Sequence, residues 1–316
     1  MSLRRFVLKR LLVTIPLLLG VTLITFGMVH LIPGDPIDFI TLFTELDPET
    51  ERQIREQYGL DQPVYVQYVS WVADAATFDF GRSIVTNRPV SAEIVDRLPY
   101  TLLMGSMVFV IAIVTAIPSG MVAAYHRNTK IDQASRVFAL VGVALPNFWL
   151  GLLLILVFAS WLGLFPVLPP TGRGLLSLDM IVYTLLPAIA IGTGATALLM
   201  RLMRSSMVEE LEKDYVRTAR AKGLPERRIV RKHVLRNSLI SVVTVAAIQI
   251  AFIISGSVVV EIVFSYPGLG RLLVDRVGNR DFPVIQALVL LIGVAVVLAN
   301  LLADIIYAYL DPRIRY

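Results

Sequence analysis

The chain has 316 residues, 56% of them hydrophobic and only 17% charged, with a mean hydropathy of +0.72 and a formal net charge of +5. Soluble domains carry roughly 25% charged residues, so a large water-soluble core is excluded. The absence of Cys excludes disulfides, thiolate metal sites and a cysteine nucleophile.

The apolar residues fall in blocks near the ~20 residues that an α-helix needs to cross a hydrocarbon core. They predict an all-α, polytopic membrane protein with six transmembrane helices. The first span, Leu11–Leu31, follows Arg4, Arg5, Lys9 and Arg10. It superficially resembles a signal peptide, but the apolar run is too long and no small-residue cleavage site follows, so it reads as a retained span.

Residues 34–99 form an external segment long enough to fold. Asp47-Pro48-Glu49 reads as a helix start, with Gly59 closing that helix. Pro63 starts another, whose apolar stripe Val64, Tyr68, Val69 and Val72 is expected to pack on the spans. The segment holds an excess of acids, which follows from outside loops lacking Lys and Arg more simply than from steering of a cationic ligand.

The remaining spans are Thr101–Tyr125, Val137–Leu162, Ile181–Met200, Leu239–Val260 and Val284–Tyr307. Pro118, Pro146 and Pro187 predict kinks in the second to fourth spans. Gly142, Ala144, Gly151, Gly192, Gly194, Ala195 and Ala197 permit close helix contact. The chain thus divides into a tail with a first span (1–33), the external segment (34–99) and a five-helix core (100–316) that carries the polar loop 201–238.

That loop contains a basic island, Met207–Ser238, in which two helices are written. The first runs to about Lys222, and Gly223 can stop it. Pro225 suits the first turn of the second, which leaves Leu224 as a poor N-cap. With the N-terminus inside, 20 of the 29 Lys and Arg fall on cytoplasmic segments, including this island. The positive-inside bias therefore puts both termini in the cytoplasm. The same bias explains the net charge without nucleic acid, since no basic patch interleaved with aromatics occurs.

Beyond the fifth span, Glu261 lies at the outer membrane edge, followed by Phe264, Pro267, Gly268, Gly270 and Arg271. An ionisable group there marks a functional position, such as a gate. Equally, it ties the next loop by accepting from backbone N–H groups or by pairing with Arg271. Asp304, near the inner end of the last span, is expected to pair or to meet interfacial water.

No Gly-x4-Gly-Lys-Ser/Thr pattern occurs, and Gly192-Thr-Gly194 and Gly268-Leu-Gly270 lack the following Lys. His30, His126 and His233 make no metal-ligand spacing. No cofactor, metal or catalytic residue is expected, and the chain does not read as an enzyme. Solute moved uphill must draw energy from an ion gradient or from a partner. The spans are nearly free of charge, which weighs against a gradient-driven carrier and towards a docking element.

Four stretches are similar to the permease subunit of binding-protein-dependent ABC importers, in the dipeptide/oligopeptide/nickel class. They are Arg4-Arg5 to Pro33-Gly34-Asp35-Pro36; Tyr58 to Pro63 with Asp79-Phe80-Gly81-Arg82-Ser83; Asp214 to Gly223; and Glu261 to Gly270 with Arg280-Asp281-Phe282-Pro283. The likeness covers nearly the whole chain. It implies a type I importer permease fold with a cytoplasmic coupling helix in the cell membrane. It also implies a second homologous permease, two ATP-binding subunits and an external substrate-binding protein. The coupling contact would fall on Asp214, Tyr215, Arg217, Thr218, Ala219, Ala221, Gly223, Leu224 and Pro225. With Gly223 placed on the Gly of the general importer motif, Ala219 and Leu235 match it as well. Arg217, Thr218, His233 and Arg236 depart from it. The polar anchor then falls to Arg217 or Asp214, and a side chain at Gly223 is expected to obstruct the corner. Di- and oligopeptides are the implied cargo; the same class serves nickel, glutathione and oligosaccharides.

Overall fold

The computed structural model describes residues 3–31, 49, 52, 61–170, 172 and 174–310. Apart from residues 49 and 52, the helix expected over Asp47–Gly59 lies outside the described residues, as do the Pro-Gly-Asp-Pro turn at 33–36 and the basic tail at Arg313 and Arg315.

Eleven helices are described: α1 (Leu3–Leu31), α2 (Val64–Ala76), α3 (Val90–Tyr125), α4 (Lys130–Ala144), α5 (Asn147–Leu154), α6 (Leu178–Leu211), α7 (Asp214–Ala221), α8 (Glu226–Ile229), α9 (Leu235–Val263), α10 (Leu269–Gly278) and α11 (Phe282–Leu310). Widened π-type turns extend α5 through Ile155–Trp161 and join α8 to α9 through Val230–Val234. No strand occurs among the described residues; one isolated bridge joins Arg82 to Pro89. Five helical stretches are long and apolar enough to cross a membrane, and a sixth span results if the bent pair α4–α5 counts as one.

That pair corrects the expectation of a continuous, kinked third span. Its halves meet at 104°. Proline disfavours the helical region for the residue before it. Leu145 is accordingly extended (ψ 127°), as is Pro146, which caps α5 (ψ 131°). Pro99, Pro118 and Pro187, by contrast, sit inside unbroken helices.

The centre of the bundle is α6, which packs most extensively on α3 and also meets α4, α5 and α9. Its wall is built from small residues. A Cβ on Gly142 of α4 would come 2.8 Å from the Cβ of Ala197 on α6, and one on Gly151 of α5 would come 2.9 Å from the Phe264 ring. Such separations are below van der Waals contact, so Gly142 lets α4 approach α6 closely and Gly151 makes room for the Phe264 ring.

The first helix packs on α11, and Arg10 pairs with Asp304 at 3.0 Å. Helix α2 attaches to α1 through aromatic contacts of Phe26 with Tyr68 and Trp71 and through a 2.8 Å hydrogen bond between Thr22 and the Tyr68 hydroxyl. Its predicted stripe splits. Tyr68 and Val72 are half-buried, while Val64 and Val69 remain 57% and 63% exposed. The expectation that the whole stripe packs on the spans is corrected: the contacts with α1 run through Tyr68 and Trp71 and leave Val64 and Val69 exposed.

Candidate functional site

The basic island folds as a corner. Helix α6 continues to Leu211, past the expected span end at Met200, and α7 begins at Asp214 after a two-residue break. Gly223 has φ +72°, and two backbone bonds close the end of α7: Gly223 N–H to the Arg220 carbonyl (2.9 Å) and Leu224 N–H to the Ala219 carbonyl (3.3 Å). This pair of bonds is a Schellman motif, which satisfies carbonyls left over at a helix end. Leu224 and Ala219 belong to the same apolar cluster, supplying the accompanying hydrophobic contact. The corner therefore needs no side-chain cap. The N-cap of α8 is Pro225 (φ −65°, ψ 139°), one residue later than the Leu224 that the sequence spacing suggested, so the poor capping ability of Leu224 has no consequence. Arg220 adds a two-pronged bond to Glu226 across the turn, at 3.1 and 2.7 Å.

The expectation that a side chain at Gly223 would obstruct the corner is corrected. A Cβ there would meet nothing within 4 Å. The residue is Gly because the backbone is left-handed, a conformation that costs other L-residues about 1–2 kcal/mol.

Helix α7 has two unlike faces. Val216 (0% exposed) and Ala219 turn inward onto a cluster with Met203 and Met207 of α6, Ile229 of α8, and Val234 and Val242. Full burial of a Val side chain is worth about 1.5–3 kcal/mol. Asp214, Arg217, Thr218 and Ala221 face outward and are exposed. The two proposed polar anchors meet each other at 3.4 Å, but both stay largely in solvent. Tyr215 locks the helix sideways. Its hydroxyl donates to Glu210 of α6 and accepts from the Asn237 amide of α9 (3.2 Å). Burial, and then the Glu210 carboxylate, push this phenol above its ordinary pKa.

Nearby, Asp132 is fully buried at the start of α4. It accepts from the guanidinium of Arg204 on α6 (Nη2 at 2.8 Å, with Nε also in contact), from Arg136 (2.7 Å) and from the Asn128 N–H (3.0 Å). Arg127 bonds Glu212 at 2.5 Å. These links bind the α3–α4 turn and α4 to the far end of α6. This link was not foreseen from the sequence, since the main partner of Asp132 is 72 residues away.

At the other end of the bundle, the predicted gate residues converge. Glu261, 0% exposed, receives the Arg271 N–H at Oε2 (2.9 Å) and the Thr101 hydroxyl at Oε1 (3.4 Å). Gly268 caps α10 (Leu269–Gly278), and a Cβ there would lie 2.5 Å from the Glu261 carboxyl group. The carboxylate thus sits against the third N–H of α10, where a helix end is electropositive. Of the two readings of Glu261, the geometry favours the tie over the gate, and the tie goes to backbone. The Arg271 side chain bonds the Ser265 carbonyl instead (2.5 Å). Phe264 is buried against Gly151, and Pro267 lines a cavity of about 270 Å³.

A second clamp at this end was not foreseen. Asp281, 0% exposed, accepts from the Ser83 hydroxyl (2.5 Å) and the Ile84 N–H (3.1 Å). Arg276 pairs with the buried Glu93 at 2.8 Å and lies 3.8 Å from Asp281. Glu93 also accepts from Thr86. The Gly81-Arg82-Ser83 and Arg280-Asp281-Phe282 stretches, nearly 200 residues apart, are therefore one structure.

Apolar spans gathered on a long central helix, with a polar two-helix corner at one end, define a multi-pass helical membrane protein. The chain belongs to the family described as the binding-protein-dependent transport system inner membrane component, which matches residues 116–316; its N-terminal counterpart matches residues 3–105. The chain is 42% identical to the oligopeptide transport system permease protein AppB of Bacillus subtilis (strain 168), over 98% of this chain and 99% of that one. It is 43% identical to the glutathione transport system permease protein GsiC of Escherichia coli (strain K12), again over 98% and 99%. It is therefore a permease of the ABC importer class, a multi-pass membrane protein and a transport subunit rather than an enzyme.

Proposed function

We propose that this permease forms half of a translocation path for short peptides, and that the 207–238 corner receives the stroke of an ATP-binding subunit. The observation that carries the reading is the division of α7. Its inner face and Tyr215 are fastened to α6 and α9, while Asp214, Arg217, Thr218 and Ala221 are left exposed for a partner. A push on α7 moves α6, a 34-residue helix at the centre of the bundle and about 50 Å long. Two ATP-binding subunits, a second homologous permease and an external binding protein complete the assembly. The basic end, with both chain termini, faces the cytoplasm. Residues 34–99 and the Glu261 loop face the binding protein. The relatives' names point to oligopeptides and glutathione, which share peptide chemistry.

Because the chain has no Cys, Thr218→Cys is a unique thiol. In the assembled complex it is expected to cross-link to an ATP-binding subunit through a short bifunctional reagent. In intact cells it should resist a membrane-impermeant maleimide and react only after the membrane is opened. Labelling from outside would reverse the proposed orientation. Cytoplasmic labelling without any cross-link would remove α7 from the ATPase contact.

A further inference from the structure

Between α4 and α6, at the basic end of the bundle, lies a cavity of about 550 Å³. Arg127, Arg136, Arg201 and Arg204 line it, with Asn128 and Ser135; Ala139, Leu140, Met200 and Val208 form its apolar wall. No carboxylate lines it. The two acids nearby are already satisfied, Asp132 by Arg136 and Arg204, and Glu212 by Arg127. A guanidinium has five N–H donors, so each of these arginines keeps donors to spare. Arg201 is exposed and is engaged by none of the described carboxylates. Leu140, which lines the cavity, lies on one side of α4 with Val137 and Val141, and the three are 73%, 60% and 45% exposed.

We propose that this cavity holds the headgroup of an anionic phospholipid, with its acyl chains along Val137, Leu140 and Val141. The combination is what such a ligand requires. Several guanidinium groups converge on one phosphate, and an apolar surface leads away from it into the hydrocarbon. Basic pockets between spans at the cytoplasmic leaflet recognise lipid phosphates in this way. A soluble anion would use the arginines but leave the apolar wall wet. The lipid would brace α4 against α6 at the point where Asp132 and Arg204 already join them, next to the corner that moves. The inference rests on the proposed orientation only in placing the site in the anionic leaflet.

The test is native mass spectrometry of the purified chain and of its assembled complex with added phosphatidylglycerol or phosphatidylcholine. Phosphatidylglycerol is expected to bind at least about tenfold more tightly. Arg201→Gln should weaken it about fivefold, the worth of one basic residue near an anionic lipid, and should leave phosphatidylcholine unchanged. Arg201→Lys should keep most of the affinity, since the charge remains. Equal binding of the two lipids, or no effect of Arg201→Gln, would overturn the proposal. So would displacement of the lipid by inorganic phosphate, which would make this a free-anion site. Loss of the lipid on assembly would assign the groove to a partner chain. The readout does not depend on which side the site faces, so its failure is distinct from a failure of the orientation, which the Thr218→Cys labelling reports.

Discussion

Replacing Gly223 by Val or Asp is expected to lower ATP-driven uptake by the reconstituted complex about tenfold or more, while membrane insertion stays at the wild-type level. The two substitutions act differently. At φ +72° a β-branched side chain is strained by about 1–2 kcal/mol, enough to open the Schellman turn and tilt α7. Asp and Asn tolerate the left-handed conformation far better, so they keep the corner. Their side chains then project into space that no atom of this chain occupies within 4 Å of the new Cβ. An uptake defect in Gly223→Asn with a normal fold therefore reports on the partner's surface rather than on this chain. ATPase activity in these variants should persist but no longer respond to substrate and binding protein. Wild-type uptake by both Val and Asp variants would show that the corner carries no coupling.

Removing the carboxylate at Glu93 is expected to be the most damaging single change to stability. Glu93→Ala leaves Arg276, 14% exposed, without its 2.8 Å partner, and strips Thr86 of an acceptor. Breaking a buried pair by deleting one member costs about 3–5 kcal/mol. At about 2–4 °C per kcal/mol for domains of this size, the unfolding midpoint should fall by roughly 10 °C. Thermal unfolding in detergent, followed by tryptophan fluorescence, would show it. Two controls bound the effect. Arg88→Ala breaks the Arg88–Asp96 pair, whose side chains are 55% and 56% exposed, and should cost less than about 1 kcal/mol. The double replacement Glu93→Met with Arg276→Met should recover only part of the loss, because it removes the Glu93–Arg276 pair but also takes from the buried Asp281 the guanidinium 3.8 Å away. A Glu93→Ala midpoint matching that of Arg88→Ala would mean that the clamp is hydrated.

The spans were legible because hydropathy is a local property, and all five unbroken ones were found. Their ends were read unevenly: the expected ends at Leu31 and Tyr125 match those of α1 and α3, and others do not. Helix α3 starts at Val90 rather than Thr101, since Glu93, Asp96 and Arg97 are excluded from hydrocarbon but not from helix, and Pro99 is tolerated within it. Helix α6 outruns Met200 for the same reason. The break at Leu145-Pro146 shows the reverse case. A proline kink was expected, but its size depends on whether neighbours re-satisfy the backbone, and the sequence does not state that. In the 207–238 corner the stop at Gly223 was readable from spacing, whereas the break between α6 and α7 and the run of α8 into α9 were not. The lateral lock through Tyr215 was not, because Glu210 and Asn237 reach it from two other helices. Helix α10 was not foreseen, although Gly268 caps it and Glu261 faces its first turn. The buried ionic groups were the least legible of all. Asp132 and Asp281 look like ordinary loop acids until α6 and the Ser83 loop are brought against them.

The most direct test is peptide uptake into proteoliposomes that contain this chain, its second permease and the two ATP-binding subunits, with the binding protein supplied on the opposite side from ATP. Uptake is expected only when ATP and binding protein are both present, and it should be unaffected by collapsing proton and sodium gradients. Uptake by this chain alone, driven by either gradient and indifferent to ATP, would contradict it.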